Sequence, residues 1–409
     1  MRTMKRVAAV ALSVVVLMTS GVSAKAAVTD VQPAKSSSEA VLKWAKKVGE
    51  PFDEKTYANN TVSKIKLVGN YLYVADDAKH RIMKIDKKDG TILKEQKYCD
   101  ESYIQGYVSS IGYGDGKVYV GYDNGRVQAF DENTLESLWI TDENKNAINS
   151  DFVFTNGKLY FGTTAKTTDW YDNGAPFSYY VVTTSDDDKT KPDEEKTMKK
   201  VVESKTGKFY LKKGVVLGKY IVISDTAGTL TMIDTTNDKV TDTKDIGEAF
   251  SGNITYDEMT GTIYFVAGTN DLYGIKVSAD GKLKDEKKVR LYETGYSSTT
   301  PEVYNGKVYV SGSKGKAFQD KGYMAVADVS SGKYKVNYTV ELSNYSQCEP
   351  TIVKTGENSV RVYFTINDEP GGIYAIEDSK DATSATLETV YEPTGDIKNT
   401  GCMSDVVVD

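Results

Sequence analysis

Few residues of this chain have the type and spacing that catalysis or metal binding requires. Its one histidine, His80, lies between Lys79 and Arg81 in a predicted turn. A nucleophilic relay or a metal site needs partners at fixed geometry, and none is spaced to supply them, so His80 reads as an exposed turn residue. The three cysteines, Cys99, Cys348 and Cys402, are scattered, and their odd number leaves at least one unpaired within the chain. Asp186-Asp187-Asp188 and Asp193-Glu194-Glu195 lack the turn glycine and ligand spacing of a calcium loop and read as a solvated connection. No phosphate-cradling glycine loop or nucleophile elbow is present. Carboxylates are too numerous for an acid/base pair to be selected. The expectation is therefore no catalytic residue, no metal and no cofactor.

Aromatic side chains are the better binding candidates. One long connection, 163–176, carries Trp170 and Tyr171, with Phe177, Tyr179 and Tyr180 just beyond it; a second, 311–322, carries Phe318. Trp, Tyr and Phe at an exposed rim anchor protein partners and stack on sugar rings. The competing expectation is that these rings fold down over their own repeat.

What positions them is a recurring phrase of glycine, a polar residue, and alternating Tyr and aliphatic residues. It occurs at Gly69-Asn70-Tyr71-Leu72-Tyr73, Gly116-Lys117-Val118-Tyr119, Gly157-Lys158-Leu159-Tyr160, Gly218-Lys219-Tyr220, Gly261-Thr262-Ile263-Tyr264 and Gly306-Lys307-Val308-Tyr309, with a degenerate copy at Val360-Arg361-Val362-Tyr363. Aliphatic-acid pairs follow, among them Ile85-Asp86, Phe130-Asp131 and Ile233-Asp234. A repeat of roughly 40 to 50 residues built of strands and turns specifies an all-β fold, a β-propeller of four-stranded antiparallel blades. In the clearest unit strand A is expected near 108–113, B at 117–122, C at 127–131 and D at 136–140. The units run 61–98, 105–143, 148–205, 207–248, 250–293, 297–343 and 346–394. In such blades the B–C and D–A connections share one face, which would crown it with both long insertions. Cys348 and Cys402 fall at equivalent starts of strand A on adjacent units. Neighbouring inner strands usually lie farther apart than the ~7 Å a disulfide spans, so two thiols are expected there.

The ends carry leftover strands. Residues 401–409 resemble the strand A that begins at Gln347-Cys348, and Ala40-Val41-Leu42-Lys43-Trp44 resembles the strand D around Trp139. Propellers close by completing one blade from both termini. The expectation is seven complete blades plus a partial eighth, the chain being cut short at Asp409; the alternative is a seven-bladed ring with frayed ends.

Residues 1–26 have a basic start, an apolar run and small residues up to Ala24 and Ala26, the pattern of a secretory signal peptide. Residues 27–38, rich in Pro, Lys and Ser, read as a flexible lead-in, and 39–409 as the propeller. A net charge of −7 with interspersed signs argues against nucleic acid and anionic membrane as partners.

The stretch from Gly116 to Trp139, with Gly125, Ala129-Phe130-Asp131 and Leu138-Trp139, resembles the PQQ-like, or quinoprotein-like, propeller repeat. The resemblance extends at repeat level over most of the mature chain and implies an eight-bladed design. Some members are dehydrogenases using pyrroloquinoline quinone and calcium under a vicinal cysteine pair and over a Trp floor; others, including an outer-membrane assembly scaffold, hold no cofactor. No adjacent cysteines exist here, which points to the non-enzymatic type. Val74-Ala75-Asp76 and His80-Arg81-Ile82 are similar to an NHL repeat, but in one blade alone. The expected function is an exported, monomeric scaffold binding a protein or a cell-surface polysaccharide. The alternative is a carbohydrate-binding or carbohydrate-active protein, with a quinone dehydrogenase last.

Overall fold

In a computed structural model the described residues are 33–48, 63–76, 79–98, 111–166, 176–186, 195–210, 212–250, 252–315, 321–367, 371–395 and 405–408. They form seven four-stranded antiparallel sheets, each pairing its strands in chain order. The sheets cover 66–97, 111–140, 153–203, 215–245, 255–290, 302–342 and 351–391, each inside its expected unit. In the second blade strands A to D are Ile111–Gly114, Lys117–Gly121, Val127–Asp131 and Ser137–Ile140. Innermost strands touch in the order of the chain from blade 1 to blade 7.

The repeated phrase sets this local geometry. Asp115-Gly116, Asn156-Gly157 and Asn305-Gly306 each have two successive positive φ angles, between 50° and 77°. That is the tight hairpin turn whose twist matches flanking strands, and it links A to B. The acid of the aliphatic-acid pair turns the chain from C to D. Asp86, Asp131, Asp234 and Asp328 each accept a hydrogen bond from the backbone N–H two residues on, at 2.8 to 2.9 Å. Every C–D pairing also carries a bulge. The extra residue sharpens the strand twist and helps a blade splay outward.

The core lies between blades. Tyr73, Ala75 and Ile82 of blade 1 pack with Val118, Val120 and Phe130 of blade 2, and mixed clusters join each later pair through blades 6 and 7. On top of this apolar packing, the Lys and Tyr of strand B reach forward to the next blade. Lys307 Nζ lies 2.9 Å from Asp378 Oδ2, and the same carboxylate accepts from Tyr309 OH at 2.7 Å and Tyr338 OH at 2.5 Å. Lys158 and Tyr160 of blade 3 hold Asp238 of blade 4 at 2.8 and 2.6 Å. Lys117 of blade 2 reaches Asp186 of blade 3 at 3.5 Å, and Tyr73 donates to the Glu132 carbonyl of blade 2 at 2.7 Å. Lys and Tyr two apart on a strand point the same way, so in blades 3 and 6 the phrase is a forward-facing clasp, whereas Lys219 of blade 4 pairs within its own blade, with Asp234. Burial pushes the Asp238 carboxyl up, but the bonds from Lys158, Tyr160 and Lys199 outweigh that and hold it below the usual range.

Between blades 7 and 1 the clasp closes on a different object. Arg361 and Tyr363 occupy the Lys and Tyr positions of strand B; the Arg361 guanidinium donates to the Lys35 carbonyl, and Tyr363 OH to the Ala34 carbonyl at 3.1 Å. Arg361, 2% exposed, also pairs with Glu377 and Glu388. The segment then runs to blade 1, where Trp44 Nε1 donates to the Lys87 carbonyl at 2.9 Å. Its indole lies over Gly90, where a Cβ would stand 2.6 Å from the ring. Val406 and Val408 pack beside Val353 of blade 7, and Lys64 pairs with Asp405 at 2.9 Å. Residues 33–48 and 405–408 thus bridge this seam, but neither segment is a strand. The described residues therefore show seven blades and not the sheet of an eighth.

Candidate functional site

The described residues that lead into strand A run in at the propeller axis, on the face where the B–C connections also leave the blades. Two places before strand A, where that position is described, stand Lys64, Asp151, Lys213, Asn253, Thr300 and Glu349, and Asp405 of the 405–408 segment joins them through Lys64 and Glu349. Several are linked from blade to blade. Lys213 N–H donates to Asn253 Oδ1 at 3.0 Å, and Asn253 Nδ2 to Thr300 Oγ1 at 3.0 Å. Glu349 N–H donates to Asp405 Oδ1 at 2.7 Å, and Asp405 Oδ2 meets Lys64. The result is a polar collar around the mouth of the central channel.

Lysines dominate one part of it. Lys66, on strand A of blade 1 (Lys66–Val68), lies within electrostatic reach of Lys213, which leads into blade 4, and of Asp151, which leads into blade 3. Lys212 senses Asp151 and Lys64 in the same way. Blades 2 and 3 stand between blades 1 and 4, so these groups meet only across the channel. Lys66, Lys212 and Lys213 are half-buried. Desolvation and the neighbouring Lys213 together pull the Lys66 ammonium down to about 8, with Asp151 opposing. Desolvation also lowers Lys212, against the pull of Asp151. Lys64 goes the other way: burial lowers it, but Asp405, Asp151 and Glu349 outweigh burial and raise it.

The expected rim aromatics divide. Trp170, Tyr171 and Phe318 lie outside the described residues. Phe177 and Tyr179 are fully buried: Phe177 packs edge-on against Phe209 and Tyr179 against Tyr210. They hold blade 3 to the chain entering blade 4, because strand C there is covered on both faces, and so offer no surface to a ligand. Tyr180 is half-buried and stacks on Phe161 at 6.3 Å. His80 sits in the B–C turn at φ 48°, half-buried and 6.4 Å from the Tyr98 ring. Cys348 is a buried thiol beside Ser346 and Thr365, pushed up by desolvation; Cys99 and Cys402 lie outside the described residues.

Sequence reasoning missed the lysine collar. Its signal was available: the position before strand A, compared across the units, is polar wherever it is described.

No family model and no curated protein sequence matches the chain. Solved structures do. BamB from Moraxella catarrhalis matches at 12% identity and TM-score 0.55, over 81% of this chain and 88% of that chain. The fold is that of the PQQ-like propellers. A quinohemoprotein alcohol dehydrogenase from Comamonas testosteroni matches at 12% identity and TM-score 0.58, over 84% of this chain and 68% of that one. A europium-containing methanol dehydrogenase matches at 12% identity and 0.52, over 74% and 72%.

The described residues hold no cysteine pair of the kind the quinone chemistry of the resemblance calls for. The one described cysteine is buried in blade packing. Trp139 is enclosed against Tyr119, and Trp44 lies at the outer seam on Gly90.

Proposed function

We propose that this chain is an exported, non-enzymatic binding scaffold that presents its B–C and D–A face to a protein of the cell envelope. The observation that carries this reading is where the side chains of the repeat go. The Lys and Tyr of the repeated phrase are used in joints between blades, as where Lys307 and Tyr309 meet Asp378, and the acid of the aliphatic-acid pair is used in turns, as at Asp328. Structural duty of this kind leaves specificity to the connections, which is where repeat scaffolds carry it. The two longest B–C connections leave from and return to strand ends on the face that holds the polar collar, and both contain large aromatics in their sequence. The start of the sequence, with its basic, apolar and small-residue parts, supports export.

The test is capture of partners from an envelope extract by the secreted protein carrying a photo-crosslinker at Lys166, next to the first long connection, followed by the same capture with Trp170→Ala and Phe318→Ala. A saturable protein partner weakened at least tenfold by either substitution is the expected result. Saturable binding of a purified cell-surface glycan would move the reading to a polysaccharide ligand. Quinone-dependent oxidation of alcohols or sugars by the purified chain would overturn it.

A further inference from the structure

We propose that Lys307 and Asp378 condense to an amide that joins blades 6 and 7 covalently. The inference goes beyond the scaffold reading and does not depend on it. The two groups stand in contact as an ion pair: Lys307 Nζ lies 2.9 Å from Asp378 Oδ2 and 3.1 Å from Oδ1. Among the described ion pairs this one alone has both side chains under a tenth exposed, at 8% and 1%.

Three features favour reaction over a lasting pair. In water an ammonium and a carboxylate resist condensation because each is well hydrated. Here burial has removed that hydration, and a neutral amide relieves the joint of two buried charges. The second feature is a phenol on each oxygen: Tyr309 OH donates to Oδ2 at 2.7 Å and Tyr338 OH to Oδ1 at 2.5 Å. Burial pushes both phenols up, so they stay protonated and keep donating. Donors fixed in advance on a carboxyl oxygen stabilise the charge that gathers there as nitrogen adds, and contact between the reacting groups replaces a chance encounter. The third is an exit for the product water. A cavity of about 10 Å³, room for one water molecule, is lined by Lys307, Tyr309, Asp378 and Ser379 and by the exposed Asn305 and Asn358.

The step balances within the pair. The ammonium passes a proton to a carboxylate oxygen, and the neutral amine adds to Cγ. As the Nζ–Cγ bond forms, a second proton moves from nitrogen to the oxygen that carries the first, and that Cγ–O bond breaks to release water. One N–H remains on the amide, and the Ser379 carbonyl, 2.5 Å from Nζ, is its acceptor. The remaining Asp378 oxygen has two lone pairs, enough for both phenols. The bond ties strand Lys307–Ser313 to strand Gly372–Ser379. It gives a chain whose one described cysteine is a buried free thiol a crosslink that needs no oxidant. The corresponding clasp of blades 3 and 4 stays an ion pair, because Lys158 is 22% exposed and Asp238 is shared with Lys199.

The experiment is accurate-mass spectrometry and tryptic mapping of the full chain, sampled over several days from the moment of folding. The expected result is a folded chain that loses one water with time, while the same chain held in denaturant does not. Its digest gains a branched fragment in which 291–314 and 362–380 are joined through Lys307 and Asp378. Lys307→Arg keeps the charge but not the nucleophilic amine, and should melt cooperatively without forming the branch. Tyr338→Phe should slow the water loss by roughly tenfold or more, and Lys335→Met, on the exposed outer strand of blade 6, should leave it unchanged. A wild-type chain that keeps the full mass of its residues, or one that loses water without yielding the branched fragment, overturns the proposal. The fragment is sought in the unaltered chain, so the result does not depend on any variant folding.

Discussion

At the scale of single residues, the most demanding group is Asp378. Its side chain is 1% exposed, and it holds one ammonium and two phenols. Removing one side of a buried pair strands the other charge, so Asp378→Ala should cost ~3 kcal/mol in equilibrium denaturation, and Lys307→Met a comparable amount. Exposed Lys335, 3.8 Å from Asp328, provides the contrast: Lys335→Met should change stability by less than about 0.5 kcal/mol. The turn acids set the response to pH. Asp131, held by backbone N–H groups, lies below the usual carboxylate range, and Asp234, held first by Lys219 and then by Thr236, lies at about 2. Their folded values are depressed relative to an unfolded value near ~4. The stability they add is therefore complete above pH ~4 and lost as pH falls toward 2. Melting temperature should drop across that window, and Asp234→Asn should shrink the drop. The clasps themselves were not legible in the sequence. The phrase containing Lys307 and Tyr309 was, but their acid lies 71 and 69 positions away in the next unit, and neither periodicity nor spacing names a partner at that range.

At the scale of elements, blade boundaries were legible because hairpin turns need particular residues. Asn305-Gly306 and Asp131 mark where the chain reverses whatever lies around them, and all seven sheets fall where such signals put them. Resemblance between strands was a weaker guide. Ala40 to Ala45 looks like a strand D, yet it crosses the seam as an irregular strap, with Trp44 laid on Gly90. Strand propensity needs a neighbouring strand to pair with, and side-chain pattern alone does not supply one. Trp44→Ala should cost ~2 kcal/mol through lost burial. Hydrogen exchange should then rise first in the blade 1 strand Ile92–Lys97 and the blade 7 strand Glu388–Tyr391, with blades 3 to 5 unchanged. Gly90→Ala should act on the same joint twice, by intruding on the indole and by straining a φ of +73°.

At the scale of the whole molecule, the candidate site is a property of the ring and not of any blade. Lys66 and Lys213 are far apart in sequence and belong to units that never touch edge to edge; closure alone brings them together. That is why the collar was invisible when units were read one at a time, whereas the aromatic connections, being local, stood out. Closure also has a cost in time. Clasps between neighbouring blades join positions some 70 to 80 apart, as at Lys307 to Asp378 and Lys158 to Asp238, but Arg361 reaches Lys35 across 326. By loop-closure entropy the seam is harder to form than any other joint by about 1.3 kcal/mol. Blades therefore assemble like a zipper from within, and the first and last are coupled at the end. A bond made after the rate-limiting barrier slows opening without hastening assembly. Trp44 and Arg361 thus act as a latch on lifetime: loosening either should shorten the survival of the folded ring and leave its speed of folding untouched.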